Sequence, residues 1–172
     1  EEERIILNTQ IIRNNAIIHE QSAFNEVAIH RLKSPGLIDI ETYVDHRFVN
    51  SQRSDGLIIA TPTGSTAYAL SGGGPLMHPS LDAIVLVPIN PHTLSNRPIV
   101  VDGNSEISIR FSQRDKHEAQ LTCDNVILPS ILEGDLINIK RHRNKIRLLH
   151  PTNHDFFNIL RVKLDWSKAP QT

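Results

Sequence analysis

The sequence is poor in cysteine, methionine and aromatic residues, with one cysteine, one methionine, one tryptophan and two tyrosines among 172 residues. The lone Cys123 cannot form an internal disulfide, which excludes a disulfide-stabilised secreted scaffold and fits a reducing cytoplasm. No apolar run reaches the roughly 20 residues that a membrane-spanning helix needs, so we expect no membrane partner.

Neither sign of charge is in excess. The formal net charge is −1, so the chain as a whole offers no attraction to nucleic acid or to an anionic surface. The basic run at 140–145 lacks the interleaved aromatic rings that bind single-stranded nucleic acid, and we interpret it as a solvated turn. We therefore expect no nucleic-acid partner.

Helical periodicity is scarce, whereas strand patterns recur. Apolar and polar residues alternate in 37–44, 107–111 and 119–123, as they do in half-buried antiparallel strands. Two continuous apolar runs, 56–60 and 83–87, indicate strands that are buried on both faces. The alternating residues expected to share a core-facing side are Ile38, Ile40, Val44, Ile107, Ile109, Phe111, Ala119, Leu121 and Cys123.

These patterns predict an all-β domain, a sandwich of two sheets over residues 1–150. Residues 135–140 and 145–149 are predicted to pair as a hairpin. Residues 151–172 are predicted to form an arm outside the sandwich, with a short helix at 152–162. The apolar face of that helix would consist of Phe156, Ile159 and Leu160.

The most unusual composition lies in residues 61–74, which are dense in threonine, serine and glycine. Glycine lets the backbone approach a ligand closely, the hydroxyls of Ser65 and Thr66 donate and accept hydrogen bonds, and the Tyr68 ring can stack on a base. The spacing of a P-loop and its lysine are absent. A nucleotide pocket of another kind is one interpretation of this loop.

A short structural helix at 65–71 is the other interpretation of the same loop. Thr63 or Ser65 would be its N-cap, and Gly72 would end it. Local sequence alone favours this structural interpretation.

Two polar pairs adjoin apolar segments. Asn25 and Glu26 interrupt an apolar stretch, and an amide beside a carboxylate suits ribose hydroxyls and an adenine amino group. Arg53 and Asp55 precede the buried run; they suit a phosphate and a base, or they neutralise each other on one strand face. An ordinary polar turn is the alternative for both pairs.

The nine histidines show no metal-ligand signature in the sequence. His150 and His154 are four residues apart, but Pro151 lies between them and no neighbouring carboxylate completes a set. We therefore predict no metal site and interpret these histidines as structural or surface residues. Cys123 lies in an alternating segment and is predicted to be a core residue.

Three segments together resemble the C-terminal domain of bacterial NAD kinases, particularly the proteobacterial type. They are "NEVAIH" at 25–30, "SQRSDGLIIATPTGSTAYALSGGGP" at 51–75 and "PHTLSNRPIVV" at 91–101, and the resemblance continues to "LDWS" at 164–167. It implies the all-β C-terminal domain of the NAD kinase/diacylglycerol kinase-like fold. It also implies that the arm packs on an α/β N-terminal domain, with the NAD cleft between the two domains.

The resemblance implies an activity and its partners. NAD kinases transfer the γ-phosphoryl group of ATP, or polyphosphate in some members, to the 2′-hydroxyl of the adenosine ribose of NAD, which gives NADP. A divalent cation, expected to be Mg²⁺, is required. The implied partners are NAD or NADP, ATP, the α/β domain and further copies of the chain in a dimer or tetramer.

The resemblance also implies site residues. Asn25 and Glu26 match the Asn-Glu motif that holds the adenosine part of NAD. Asp55, with Arg53, matches a segment that reaches a site across a subunit contact, and Gly36 falls where the family places a further contact. The loop around the adenine and nicotinamide ends is matched by Thr66, Ala67, Tyr68, Ala69, Leu70 and Ser71.

The sequence departs from the family pattern in two places. An Asp-x-Gln motif is replaced by Asp124, Asn125 and Val126, so Asn125 is the candidate for the glutamine contact. The Gly-Gly-Asp-Gly motif, whose aspartate is the proposed general base, is absent together with its α/β domain. Because phosphoryl transfer depends on positioning and charge stabilisation, we predict no catalytic residue here and no activity of this chain alone.

Two other functions fit a dinucleotide-binding β domain. One is the β domain of a related lipid kinase, although the intact "TPTGSTAY" block at 61–68 argues against it. The other is a non-catalytic module that binds a dinucleotide or serves in assembly.

Overall fold

The computed structural model describes residues 1–32, 36–93, 95–111 and 119–166. The last six residues of the predicted arm lie outside them. The strands are β1 Glu2–Arg4, β2 Leu7–Arg13, β3 Ala16–Ala23, β4 Glu26–Arg31, β5 Ile38–Val44, β6 Arg47–Ser54, β7 Gly56–Ala60, β8 Ala83–Ile89, β9 Ile99–Asp102, β10 Ile107–Phe111, β11 Ala119–Cys123, β12 Val126–Ile127, β13 Leu136–Arg141 and β14 Ile146–Leu148. The helices are α1 Tyr68–Ser71 and α2 Phe156–Lys163, and a 3₁₀ turn spans Gly64–Thr66.

The strands form two six-stranded antiparallel sheets, which confirms the predicted all-β class. The spatial order of the first sheet is β3-β2-β13-β10-β5-β6, and that of the second sheet is β12-β11-β4-β7-β8-β9. A separate two-stranded sheet pairs β1 with β14, so strands near the two ends of the chain lie side by side.

Three of the hairpins close through two residues in the left-handed backbone region. Such turns match the right-handed twist of the strands that they join. Apart from glycine, asparagine and aspartate are the residues that adopt the left-handed backbone region most readily. The turn residues are Asn14 and Asn15 between β2 and β3, Asp45 and His46 between β5 and β6, and Asp124 and Asn125 between β11 and β12.

The predicted hairpin of 135–140 with 145–149 is wrong. Strand β13 pairs with β2 on one side and with β10 on the other, so both of its hydrogen-bonding edges are occupied. Strand β14 pairs instead with β1, with Glu2 opposite Leu148 and Arg4 opposite Ile146.

The inner layer between the two large sheets is aliphatic. The residues predicted to face it do so: Ile40, Ile107, Ile109 and Leu121 are fully buried, and the partly buried Phe111 packs against them. Cys123 is also buried there as a free thiol, and burial raises its pKa to about 11. This layer holds the sheets together because each buried aliphatic side chain contributes roughly 1.5–3 kcal/mol by leaving water.

A second, smaller apolar layer covers the other face of the second sheet. Strands β7 and β8 therefore have apolar residues on both faces, as their continuous apolar runs predict. The layer is completed by the segment that follows β7, residues 61–77. Its buried residues are Ala28, Ile58, Ala60, Ala69, Met77, Val85 and Val87.

The predicted helix at 65–71 is two short pieces. The backbone of Ala67, with φ −108° and ψ −127°, is not helical and separates the 3₁₀ turn from α1. Thr63, one of the two predicted N-cap residues, precedes the 3₁₀ turn at the N-cap position but makes no side-chain cap hydrogen bond. Ser65 caps neither piece. Gly72 follows α1 at its end, as predicted.

In the described part of the arm, residues 151–166, one helix, α2, forms, and it begins later than predicted. Asp155 is its N-cap, and the Asp155 carboxylate accepts hydrogen bonds from the backbone N–H groups of Phe157 (2.9 Å) and Asn158 (3.2 Å). Leu160 is buried, whereas Ile159 is 46% exposed and does not belong to the apolar face. Among the described residues, no helix is long and apolar enough to cross a bilayer.

Candidate functional site

The candidate site lies on the outer face of the second sheet, where residues 61–77 return across β4 and β7. Thr61, the first residue of this segment, is held against the sheet by hydrogen bonds. Its backbone N–H donates to the carbonyl of Asn25 at 2.9 Å, and its hydroxyl donates to the carbonyl of Phe24 at 2.8 Å. The same hydroxyl accepts the N–H of Gly64 at 3.1 Å. The loop is therefore bonded directly to the residues that begin β4.

Gly64 allows the loop to come this close. A Cβ atom at this position would lie 2.0 Å from the carbonyl oxygen of Asn25, well inside van der Waals contact. Gly74 is similarly crowded, since its Cβ would lie 2.8 Å from the carbonyl oxygen of Ala69. Two glycines thus hold the loop against the sheet and against itself.

The hydroxyls of the loop bind the loop itself. The Ser65 hydroxyl is fully buried, donates to the carbonyl of Pro62 at 2.7 Å and accepts the N–H of Met77 at 2.9 Å. The Thr66 hydroxyl donates to the carbonyl of Thr63 at 3.2 Å. Ser65 is thus fully committed to the loop, whereas Thr66 keeps part of its surface exposed.

Glu26 places a buried carboxyl group beside this loop. It is only 6% exposed, and its Oε2 atom has no hydrogen-bond partner among the residues that the structure describes. Burial, together with the negative charge of Asp124, raises the pKa of the Glu26 carboxyl above its ordinary value. A buried acceptor without a partner is expensive, and a ligand hydroxyl is one group that would satisfy it.

Asp124 anchors the start of β4. Its carboxylate accepts the backbone N–H groups of Phe24 at 2.5 Å, Asn25 at 2.8 Å and Glu26 at 3.1 Å. Asn125 is the next residue of the same left-handed turn and is exposed. The structure therefore brings Asn125 near the Asn25–Glu26 segment through its neighbour.

Tyr68 lies over the sheet at the beginning of α1. Its ring is 38% exposed and lies 5.5 Å from the His30 ring, centroid to centroid, at a tilt of 31°. Burial lowers the pKa of His30, which favours a neutral imidazole beside the tyrosine. Glu26, Ala28 and His30 share one face of β4, the face that the loop covers.

Asp55 and Gly36 meet at the far end of β4 through Arg31. The Arg31 guanidinium lies 3.7 Å from the Asp55 carboxylate and donates a hydrogen bond to the carbonyl of Gly36. Asn90 donates a hydrogen bond to the Asp55 carboxylate at 3.1 Å. The structure thus brings Asp55, predicted for a contact across subunits, close to Gly36, predicted for a further contact.

Arg53 does not pair with Asp55, so the predicted neutralisation within this pair is wrong. Arg53 stands opposite Asp39 on the neighbouring strand, and their side chains are 3.2 Å apart. Arg53 remains largely exposed. Cross-strand neighbours are closer than residues two apart on one strand, which explains the partner that it takes.

The predicted site residues therefore form two groups. One group is the start of β4 with the loop at 64–71, and the other is Asp55 with Gly36 at the end of β4. Asp55 lies roughly 17 Å from the Asn25–Glu26 segment, since about five residue steps of extended strand separate them. Tyr68 of the loop lies between them, against His30. The sequence interpretation did not identify His30, Arg31 and Thr61. Alternation along β4 could have placed His30 on the same face as Glu26, because the two are four residues apart.

The loop also contacts strands and helices from both ends of the chain. Arg4 on β1 donates to the Thr63 hydroxyl at 3.3 Å. Lys163 on α2 donates to the carbonyl of Thr66 at 3.2 Å. The arm therefore touches the candidate site directly.

His150 and His154 do have a carboxylate beside them, contrary to the expectation from sequence spacing. A carboxylate that is remote in sequence, Glu2, completes a group of three whose candidate ligand atoms all lie within 4.8 Å of one another. The pairing of β1 with β14 brings it there, and sequence spacing contains no sign of that pairing.

Comparison with known proteins agrees with this geometry. A family described as the ATP-NAD kinase C-terminal domain matches residues 24–150. The NAD kinase of Methylococcus capsulatus is 53% identical over 166 residues, which are 96% of this chain and 57% of that protein. The NAD kinase of Hydrogenovibrio crunogenus is 50% identical over 167 residues, 97% of this chain and 57% of that protein.

Solved structures give the same result. Yeast NADH kinase in complex with NADH superposes with a TM-score of 0.87 at 27% identity, over 99% of this chain and 52% of that one. An Archaeoglobus fulgidus NAD kinase in complex with ATP superposes with a TM-score of 0.65 at 28% identity, over 84% of this chain and 53% of that one.

The fold is that of an all-β kinase-family domain, and the chain belongs to the ATP-NAD kinase family. It corresponds to the C-terminal domain of that family. The resemblance noted from the sequence is thereby confirmed. The chain spans little more than half the length of the curated relatives that it matches.

Proposed function

We propose that this chain is the NAD-binding half of an NAD kinase that phosphorylates the 2′-hydroxyl of the adenosine ribose of NAD with ATP. The observation that carries the proposal is the unpartnered, buried Oε2 of Glu26, which lies beside a loop that glycine brings against the sheet. This arrangement offers a hydroxyl-recognising acceptor on a preformed wall.

Each part of the wall has a role in this proposal. Asn25 and Glu26 hold the adenosine portion, because an amide and a carboxyl group together match an amino group and a ribose diol. The exposed ring of Tyr68 offers a stacking surface for a base. The remaining loop contacts come from Thr66, Ala67, Ala69, Leu70 and Ser71, with Asn125 in the place of the family glutamine.

The chemical step belongs to the other wall. In this chain, residues 24–31 and 61–74 bind and orient NAD, and the general base and the phosphate-binding backbone come from the α/β domain. Ordering the acceptor ribose is what this half contributes. We therefore expect the chain to be inactive until the second half is supplied.

The divalent cation fits poorly among the described residues of this chain. Mg²⁺ prefers oxygen ligands and substrate phosphates, whereas Asp124 uses its carboxylate for three backbone N–H groups. The histidine-containing group around Glu2 has the wrong donor atoms for Mg²⁺.

We further propose that the kinase is a cytoplasmic homo-oligomer, a dimer or tetramer, in which Asp55, with Arg53, serves a neighbouring subunit's site. Gly36 supplies a further contact. The separation of roughly 17 Å between Asp55 and the Asn25–Glu26 segment supports two contact regions rather than one. Asp55→Asn in the complete enzyme should reduce activity, and mixed oligomers with an Asn25→Ala variant should recover part of it. The absence of recovery in verified mixed oligomers would count against shared sites.

Calorimetric titration with NAD, NADP and ATP tests the assignment of this half. In the complete enzyme, Glu26→Gln and Asn25→Ala should weaken NAD binding about tenfold or more, since each removes a hydrogen-bonding partner worth roughly 1–3 kcal/mol. ATP binding should change little. The matched controls are Glu133→Gln and Asn104→Ala, which change exposed residues of the same types elsewhere in the domain.

A lipid kinase or an assembly module would give different results in the same titration. A lipid kinase would bind ATP but show no saturable heat with NAD. An assembly module would bind neither nucleotide, and the variants would then match their controls.

A further inference from the structure

The ends of the described chain meet in a group of three potential ligands, Glu2, His150 and His154. We propose that this group is a binding site for a divalent transition metal such as Zn²⁺, formed by one carboxylate and two imidazoles. Glu2 lies on β1, His150 follows β14 and His154 lies in the turn before α2. None of the three is among the residues proposed to bind NAD, so this proposal does not depend on the kinase reaction.

Backbone structure holds the three residues in place. The β1–β14 ladder places Glu2 opposite Leu148, two residues before His150. The backbone N–H of His154 donates to the carbonyl of Pro151 at 3.0 Å, which folds the chain back over His150. The two imidazole rings consequently stack, with centroids 3.7 Å apart and an angle of 11° between their planes.

The ligand atoms are close to the spacing that a metal needs. All three lie within 4.8 Å of one another, and His150 Nε2 is 2.9 Å from Glu2 Oε2. A tetrahedral Zn²⁺ with bonds of about 2.0–2.1 Å needs ligand atoms about 3.4 Å apart. The nitrogen lone pairs of two parallel rings point side by side, whereas a bound metal needs them to converge on one point. Rotation of the half-buried imidazole rings out of their parallel stack would shorten the distances between the ligand atoms from as much as 4.8 Å to the roughly 3.4 Å that the metal needs.

Arg4 adds a positive charge beside this site and occupies one oxygen of the Glu2 carboxylate. Its guanidinium donates to Glu2 Oε2 at 2.8 Å, and Arg4 itself is buried. Both hydrogen bonds that Glu2 accepts use Oε2, so Oε1 can take the metal while Oε2 keeps Arg4. The hydrogen bond from His150 is the interaction that the metal replaces.

The donor set selects the class of metal. Two imidazoles and one carboxylate suit Zn²⁺, Co²⁺ or Ni²⁺ and disfavour Mg²⁺, which prefers oxygen ligands. All three residues are partly exposed, so water can complete the coordination. A metal bound here would join β1 to the start of the arm. Arg4 connects the same group to Thr63 of the loop.

The test is a Zn²⁺ titration of the tag-free chain by calorimetry, with ZnCl₂ in a non-coordinating buffer. We expect one Zn²⁺ per chain, and at least a tenfold loss of affinity in His154→Gln. That variant is the cleanest one, because the His154 side chain makes no hydrogen bond within the described residues. Glu2→Gln should lose affinity as well, and His46→Gln, an exposed histidine in the turn between β5 and β6, should not.

Cobalt provides a second measurement. Co²⁺ bound to the chain should give the intense visible absorption of a tetrahedral site, and this absorption should disappear in His154→Gln while the far-ultraviolet circular dichroism stays unchanged. The proposal is overturned if the wild-type chain binds no Zn²⁺. It is equally overturned if His154→Gln and His46→Gln bind Zn²⁺ with the affinity of the wild type.

Discussion

The two faces of the second sheet carry apolar layers of different composition. The inner face contributes large aliphatic residues such as Ile29, Leu57 and Ile59 to the space between the sheets. The outer layer combines alanines, Ala28 and Ala60 on the sheet and Ala69 on the loop, with the larger Ile58, Val85 and Val87. Large side chains maximise buried area, whereas small ones let a loop approach the sheet backbone.

The inner layer mainly stabilises the fold, whereas the outer layer mainly positions the loop at 61–77. The inner layer joins two sheets of six strands and secures the sandwich. The outer layer is a platform on which hydrogen bonds from Thr61 and contact at Gly64 fix one loop. Changes in the inner layer should therefore unfold the chain, and changes in the outer layer should alter binding in a folded chain.

The largest effect is expected from Ile59→Ala in the inner layer. Ile59 is fully buried, so the substitution removes apolar contact and leaves a cavity that costs about 2–5 kcal/mol of the free energy of unfolding. Urea denaturation measures this. The control is Ile127→Ala, since Ile127 is 64% exposed and should change stability by no more than about 0.5 kcal/mol. Equal effects of the two substitutions would refute the assignment of the inner layer.

Gly64→Ala should damage binding more than any other change in the outer layer. The added Cβ would overlap the carbonyl of Asn25, so the loop must move away from β4. We expect a loss of NAD affinity of about 3 kcal/mol, or roughly a hundredfold, in the complete enzyme. Gly73→Ala is the comparison, because its φ of 81° strains an alanine while its Cβ meets nothing within 4 Å. A smaller loss of NAD affinity in Gly73→Ala would therefore isolate the collision with Asn25 from backbone strain in the loop. Unchanged NAD affinity in Gly64→Ala would separate the loop from the pocket.

Tyr68→Ala should weaken NAD binding by about 1–3 kcal/mol through loss of a stacking ring, without lowering stability much. The chain offers a matched control in Tyr43, which lies in the first sheet with its ring against Phe48. Tyr43→Ala should leave NAD affinity unchanged. Calorimetry on both variants compares the two tyrosines, and equal losses would show that neither ring lies in the pocket.

Glu26→Gln should have the smallest effect on folding, and of the opposite sign. Burial and the charge of Asp124 raise the pKa of Glu26 in the folded chain above its ordinary value of 4.5. The folded state then binds this proton more tightly than the unfolded chain. The resulting stabilisation is fully present below pH 4.5 and is lost as pH rises through the folded pKa.

Replacing Glu26 with glutamine removes that loss. The variant should be more stable than the wild type at neutral pH, while its NAD affinity falls. Denaturation curves between pH 4 and pH 8 measure the first effect. A variant that loses stability at pH 7 together with affinity would indicate a structural role for Glu26 instead.

The fold could be predicted from the sequence where periodicity decides it. Alternation identified the strand that contains Ile38 and Ile40, and continuous apolar runs identified β7 and β8 as buried on both faces. The predicted partner of β14 was wrong because proximity in sequence favoured β13. Both hydrogen-bonding edges of β13 pair with other strands, β2 and β10.

The site could be predicted in part. The Asn-Glu pair and the loop were identified from composition and family resemblance, but local sequence did not show that Ala67 breaks the helix. The partners of Arg53 and His150 lie on other strands, and Glu2 is 148 residues from His150 in the chain. Such contacts depend on tertiary pairing, and residue spacing does not encode them.

The most direct test of the proposal that this chain is one wall of a two-domain site is an NADP-formation assay. The purified chain with ATP, Mg²⁺ and NAD should produce no NADP, because the chain has no Gly-Gly-Asp-Gly motif and no P-loop. Addition of the α/β half of a related NAD kinase in trans should produce measurable turnover. NADP formation by the unaided chain at the rate of ordinary kinases would contradict the proposal and would direct attention to Asp124 as the base.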